Sequence, residues 1–272
     1  MKKKSQNPKE KKKKKNKIKL GPAGNCAGGI LESLRRLKEL ELDGQEVEFT
    51  YGVKMSNSLA KEAGKLAKEL GLMLSVHAPY YINLCSEEKA KIQASKRRIL
   101  TSCERGHYLG ATHIVFHSGF YGKRNPDEVY DCIKQHLIDL QREIRKKGWK
   151  VKLAPETTGK KSQFGTVDEL LKLKKEIGIE ICVDFAHILA REGKINYDEL
   201  LKKLKNIKHL HCHFSGIEYS AKGERRHLNM KESDIKKLLK ILLKYNIDCM
   251  IIAESPVTWK DSLKMKKILE SM

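Results

Sequence analysis

The chain has 272 residues, 40% of them hydrophobic, which suits one α/β barrel with a sizeable core rather than two small domains. No stretch approaches the ~20 uninterrupted apolar residues of a membrane span, and the seven cysteines (26, 85, 103, 132, 182, 212 and 249) contain no CxxC, which argues against a disulfide framework or a cysteine zinc site and fits a reducing cytoplasm. The formal charge of +22 is divided: residues 1 to 17 hold ten Lys and one Glu, leaving +13 on residues 18 to 272, so the tail reads as disordered and the body as a partner for a polyanion. The same richness in Lys and Glu is also a mark of heat-adapted proteins.

Beyond the tail, apolar and β-branched runs alternate with amphipathic stretches. The first predicted strand is 18–24, with a helix near 27–41; its glycines close a turn and do not form GxGxxG. The second is 46–52, then a helix near 58–71 with Leu59, Ala63, Leu66, Ala67 and Leu70 on one face. The third, 73–79, ends on His77 and is followed by Tyr80, Tyr81 and a long helix from about 87 to 109. The fourth, 112–119, ends on His117 and precedes a helix from about 126 to 147. The fifth, 151–159, ends on Glu156, with a short helix over about 166–177. The sixth, 179–187, delivers Asp184 and His187; the seventh, 207–216, places His209, His211 and His213 on one side; the eighth, 248–256, ends on Glu254.

Eight strands separated by helices predict a single (β/α)8 TIM barrel over 18–272, behind the disordered basic N-terminal tail. His77, His117, Glu156, Asp184, His187, His213 and Glu254 then gather at the C-terminal face. Carboxylates crowded in a barrel mouth repel one another unless protonated or neutralised, and imidazole with carboxylate is the ligand mix of zinc or manganese. A polynuclear metal site resolves that conflict. Any one of these histidines alone reads as a hydrogen-bonded core or surface residue; their recurrence at strand ends does not.

Five segments carry a resemblance: residues 76–84 (VHAPYYINL), 116–119 (FHSG), 155–159 (PETTG), 183–187 (VDFAH) and 252–256 (IAESP). Over essentially all of 18–272 the chain resembles the endonuclease IV type of abasic-site DNA repair nucleases, within the xylose-isomerase-like TIM barrels. The resemblance implies three zinc ions. One would take His77 and His117 and share bridging Glu156 with a second, which adds Asp184, His213 and Glu254. The third would take His187 and His227.

The chain departs from the family where the loop after strand seven carries Asp-Arg-His; here it reads Arg225-Arg-His227, so a carboxylate of the third metal is missing. Glu224, one residue early, either substitutes through a loop adjustment or the third ion is weak or absent. Arg225 is expected to lie within a few ångströms of that ion, excluding it or turning to substrate phosphate. Phe214-Ser215 replaces the family's Asn-Asp. Tyr80 and Tyr81 stand where the family wedges side chains into the duplex, unless they form a packed pair.

The implied reaction is metal-assisted hydrolysis of the phosphodiester 5′ to an abasic site in double-stranded DNA, with Glu156 as the catalytic bridging carboxylate, two or three Zn2+ ions (or Mn2+), and Tyr80, Tyr81 and Arg225 on the DNA. The protein is expected to act as a cytoplasmic monomer away from membranes. Two alternatives stay open. Glu156, Asp184, His213 and Glu254 alone resemble the single-metal site of sugar isomerases and epimerases, and the altered Arg225 loop would suit a protein that binds damaged nucleic acid without cutting it.

Overall fold

Each apolar run forms a short strand buried on almost every residue, as a parallel sheet covered by helices requires; β4 (His113–Phe116) and β10 (Cys249–Ala253) have no residue that is even half-exposed. The computed structural model describes residues 17–272, so the expectation for the lysine-rich tail lies, Lys17 apart, outside the described residues. In chain order the elements are β1 (Ile18–Pro22), α1 (Ile30–Glu39), β2 (Gly44–Glu48), α2 (Asn57–Leu70), β3 (Met73–His77), α3 (Lys89–Leu109) and β4. Then follow α4 (Pro126–Lys146), β5 (Lys152–Pro155), α5 (Val167–Ile177), β6 (Cys182–Asp184), α6 (Phe185–Glu192) and α7 (Tyr197–Leu204). The chain closes with β7 (Leu210–Phe214), β8 (Gly216–Ser220), β9 (Gly223–Leu228), α8 (Glu232–Lys244), β10 and α9 (Thr258–Glu270).

Two parallel four-stranded sheets run in the orders β1-β10-β7-β6 and β2-β3-β4-β5. Single bridges join them at both seams: the Gly24 N–H donates to the Glu46 carbonyl at 2.9 Å, and the Thr157 N–H to the Cys182 carbonyl at 3.0 Å. The strands thus follow one another around a barrel of the TIM type. At the β1/β2 seam the backbones approach so closely that a Cβ on Gly21 would overlap the Gly44 carbonyl, so this position requires glycine.

The helices cover the barrel through apolar stripes. On α8, Ile235, Leu238, Leu239 and Leu242 are fully buried at the helical spacing, and each such burial contributes about 1.5–3 kcal/mol. Capping sets the helix starts: Ser56 accepts from Leu59 N–H, and Thr166 with Glu169 forms a reciprocal box. Inside the barrel, Val115, Ala154 and Cys182 pack apart from the main core, and Glu46, His113, His211 and His213 share the interior with them as buried polar residues.

Two regions differ from the sequence expectation. The sixth strand ends at Asp184, where α6 begins at once, so His187 sits in a helix's first turn rather than on a strand. The segment after β7 is not a loop but the antiparallel hairpin β8–β9. Among the described residues no helix is long and apolar enough to cross a membrane, and all seven cysteines are free thiols.

Candidate metal centre

Glu156 follows β5 and is 1% exposed, and its two oxygens face different partners. Oε2 lies 3.1 Å from His77 Nε2, at the end of β3, and 2.9 Å from His117 Nε2, just past β4. Oε1 lies 3.1 Å from His187 Nδ1 and 3.3 Å from His213 Nδ1, on β7. His213 Nδ1 is also 3.1 Å from Glu254 Oε1, just past β10. The parallel barrel brings all these residues to one face, and His77, His117, Glu156, His187 and Glu254 line a cavity of about 550 Å3, with His213 buried beside them.

Asp184 serves two ends at once. Its Oδ1 accepts the His187 N–H at 2.7 Å and caps α6, while Oδ2 is buried without a hydrogen-bond partner, 3.5 Å from His187 Nδ1. The cap therefore fixes the turn that returns His187 to the site.

Backbone carbonyls fix the tautomers of three rings. A carbonyl only accepts, so Nδ1 carries the proton in His77 (to Ala78 O, 2.8 Å), His187 (to Thr157 O, 2.9 Å) and His227 (to Glu254 O, 3.0 Å). Their Nε2 atoms are left facing inward. Those of His187 and His227 lie 3.2 Å apart, and Glu224 completes the group with Oε2 3.5 Å from His187 Nε2 and Oε1 3.8 Å from His227 Nε2. Two imidazole Nε2 atoms this close beside a carboxylate need a proton between them, or a shared cation in its place.

Glu224 reaches this position through a bulge. In the hairpin Glu218 pairs with Arg226 and Tyr219 with Glu224, so Arg225 is an extra residue opposite no partner. Residues three apart in an unbroken strand face opposite sides; the bulge reverses that parity and turns Glu224 and His227 to the same side. Arg225 is exposed and pairs with Glu218 Oε1 at 3.1 Å, so its side chain is directed to Glu218. Tyr80 and Tyr81 are 57% and 62% exposed, so they do not form a packed pair; Tyr80 meets the His77 ring edge-on at 6.0 Å.

The electrostatics carry the same conflict that composition implied. Burial alone would raise the Glu156 and Glu254 carboxyls, but His117 and His213 hold Glu156 well below its usual range and His213 brings Glu254 down to about 2. Burial disfavours the charged His77 ring, yet Glu156 and Glu48 outweigh it and raise His77 to about 10; Asp184 and Glu156 raise His187, and Cys182 with Glu254 raises His213, well above the ordinary value. Burial keeps Asp184 raised and pushes Glu48, at the end of β2, to about 8. Protons thus stand between these groups where cations would fit.

Within 4.8 Å, donor atoms form the sets His77/His117/Glu156, Glu156/Asp184/His213/Glu254 and Asp184/His187/His227. Every metal-ligating residue expected from the sequence falls in one of them. The family model for the xylose isomerase-like TIM barrel matches residues 34–271. This chain belongs to that family. An uncharacterized protein of Methanocaldococcus jannaschii is 38% identical, over 85% of this chain and 88% of its own. A probable endonuclease 4 of Mycoplasmopsis pulmonis is 29% identical, over 90% of this chain and 88% of its own, so the resemblance to endonuclease IV proteins holds in sequence. In structure, endonuclease IV from Thermus thermophilus (TM-score 0.73, 18% identity, 93% of this chain and 98% of that one) and a D-tagatose 3-epimerase-like protein (0.70, 22%, 93% and 96%) share the fold.

Sequence reasoning missed Glu46, Glu48 and Lys160. Glu48 and Lys160 line the cavity, and Glu46 lies beneath it. The alternating Glu-Val-Glu of β2 was the available signal, since period two puts both carboxylates on one side.

Proposed function

We propose that this chain is a zinc-dependent endonuclease that hydrolyses the phosphodiester 5′ to abasic sites in double-stranded DNA. The observation that carries the reading is the opposed Nε2 pair of His187 and His227 beside Glu224. A single-cation sugar isomerase would employ Glu156, Asp184, His213 and Glu254 and leave His77, His117, His187 and His227 without a role.

The residues fit two or three divalent ions. The donors are imidazole and carboxylate, as zinc and manganese prefer, and the buried unpartnered Asp184 Oδ2 is an acceptor in need of a cation. His77, His117 and Glu156 would hold one; Glu156, Asp184, His213 and Glu254 a second; His187, His227 and Glu224 a third. Bound there, the ions supply Lewis acidity toward a phosphoryl oxygen and lower the pKa of water.

The chain's own groups do the rest. Glu156, divided between two sets of donors, spaces them and orients the reacting phosphate between them. The carbonyl-fixed rings keep their lone pairs aimed inward without reorganisation. Lys160 offers an ammonium to the incoming backbone, and the +13 body attracts the duplex. Tyr80, standing out of the site edge, stacks where the missing base leaves a gap.

The single-cation isomerase reading retains one support, the compact four-donor set Glu156, Asp184, His213 and Glu254. Metal content and cleavage of a duplex with one abasic analogue, measured on the same preparation, separate them. Two or three ions with incision 5′ to the lesion support the nuclease; one ion and no incision reject it.

A further inference from the structure

Glu46, on β2, is a fully buried carboxylate that none of the three proposed ion sites uses. It reaches across the barrel to β7, where it hydrogen-bonds to His211, 165 residues away in sequence, and lies beside His213. Its Oε2 lies 2.8 Å from His211 Nε2 and its Oε1 2.8 Å from His213 Nε2. His211 is stacked in turn on His113, with ring centroids 5.0 Å apart and planes 12° from parallel, and the His113 Nδ1 faces the Thr112 hydroxyl at 2.8 Å. A buried carboxylate is costly unless paired, so this column of side chains has a reason to exist beyond packing.

We infer that Glu46 is a positioning residue, which fixes the His213 ring so that Nδ1 faces Glu156 and Glu254 and can take a cation. The geometry is one-sided: Nε2 meets Glu46, while Nδ1 lies 3.1 Å from Glu254 Oε1 and 3.3 Å from Glu156 Oε1. A cation on Nδ1 would leave the ring proton on Nε2, which faces Glu46 Oε1 at 2.8 Å, two buried atoms that have no other hydrogen-bond partner. That is the arrangement carboxylate–imidazole–cation, in which the outer carboxylate sets the tautomer and raises the basicity of the ligand. His211 anchors the other oxygen of Glu46 and stops the side chain from turning away. His213 thereby gains a fixed orientation from β2, on the far wall of the barrel.

The inference rests on the metal reading of the mouth and is tested on the full-length protein by zinc competition with a chromophoric chelator, alongside metal analysis. Glu46→Ala should weaken the ion at the Glu156/Asp184/His213/Glu254 set by about 10–100-fold, so that one ion is lost at a free zinc level that keeps the wild type saturated. The ion at His187/His227/Glu224 should stay. Glu46→Gln, which keeps an oxygen acceptor and the shape, should recover most of the affinity and guards against misfolding of the Ala variant. Folding is followed by thermal melts of the metal-free proteins; a purely structural role would lower the melting point and leave the ion count alone. Equal zinc affinity in the wild type and both folded variants overturns this inference by itself. A wild type that takes up no divalent cation overturns the metal reading, and this inference with it.

Discussion

Glu224 Oε2 lies 3.5 Å from His187 Nε2, although Glu224 comes one residue ahead of the position where the endonuclease IV pattern has its aspartate. The bulge at Arg225 supplies the missing turn in parity, and two glycines supply the room. Gly223 adopts φ +102°, and the Glu224 N–H donates to the Gly159 carbonyl at 3.0 Å, so the hairpin is pinned against the segment that follows Glu156. A Cβ on Gly159 would come within 2.7 Å of Glu224 Cβ and 2.8 Å of its Oε2.

Gly159→Ala should therefore displace Glu224 and cost the third ion, as should Glu224→Gln by removing the charge. Both variants are expected to keep the fold, lose about one zinc per chain and lose activity by about 10–100-fold. Full metal content in both would remove Glu224 from the ligand set.

Arg225 is expected to matter little to metal content, because it stands at the bulge and is paired with Glu218. Arg225→Asp should leave the ion count unchanged, whereas a gain of one ion would show that the arginine had kept a cation out. Arg225→Ala should weaken duplex binding by no more than about 1 kcal/mol, the ordinary scale of an exposed charge, as read from binding isotherms at two salt concentrations.

The sequence made the strand-end ligands legible because each stops an apolar run: His77, His117, Glu156 and Glu254 all mark the change from buried strand to loop. His187 was legible only as part of its motif, since Asp184 was not recognised as a helix cap. The hairpin was not legible. Residues 223–228 read Gly-Glu-Arg-Arg-His-Leu, exposed or half-exposed except at Gly223, so no period-two pattern announces a strand. Glu46 escaped for a different reason. A carboxylate in a strand reads as a solvent-facing residue, and only its partners on β7 reveal that this side of β2 faces the barrel interior.

Glu156→Gln removes a charge from between two donor sets while keeping the shape. Cleavage should fall by about three orders of magnitude or more, the scale for a group acting directly in the chemistry, with an unaltered circular-dichroism spectrum. Activity near wild type with normal metal content would sink the bridging role.

Tyr80→Ala should weaken binding to an abasic duplex by about 1–3 kcal/mol, the cost of one lost stacking partner, and raise KM more than it lowers kcat. Tyr80→Phe should be close to neutral, because the ring and not the hydroxyl does the stacking. An intact duplex, with no gap to fill, should bind both variants alike; a matching loss there would make Tyr80 a general contact.

Metal removal should be more damaging at alkaline pH. In the metal-free protein His77 is raised from 6.5 to about 10, and His187 and His213 are raised well above 6.5. A raised histidine contributes stability that is complete below about 6.5 and lost as pH climbs through the folded value. Glu48, raised from 4.5 to about 8, adds a loss of the same sign. On the acid side the depressed carboxyls of Glu156 and Glu254 act oppositely, their contribution vanishing as pH falls below 4.5, for Glu254 through about 2. Stability of the stripped protein should thus peak between these windows and decline toward pH 10. Zinc competes with the same protons, so its affinity rises with pH, by about 1.4 kcal/mol per pH unit for each proton displaced. The gap in melting temperature between loaded and chelator-treated protein should widen from about pH 6 to about pH 9. Melting curves at matched free zinc decide it: a gap that is flat or narrows with pH would mean that the histidines are already neutral without metal, and that protons do not stand in for cations in this site.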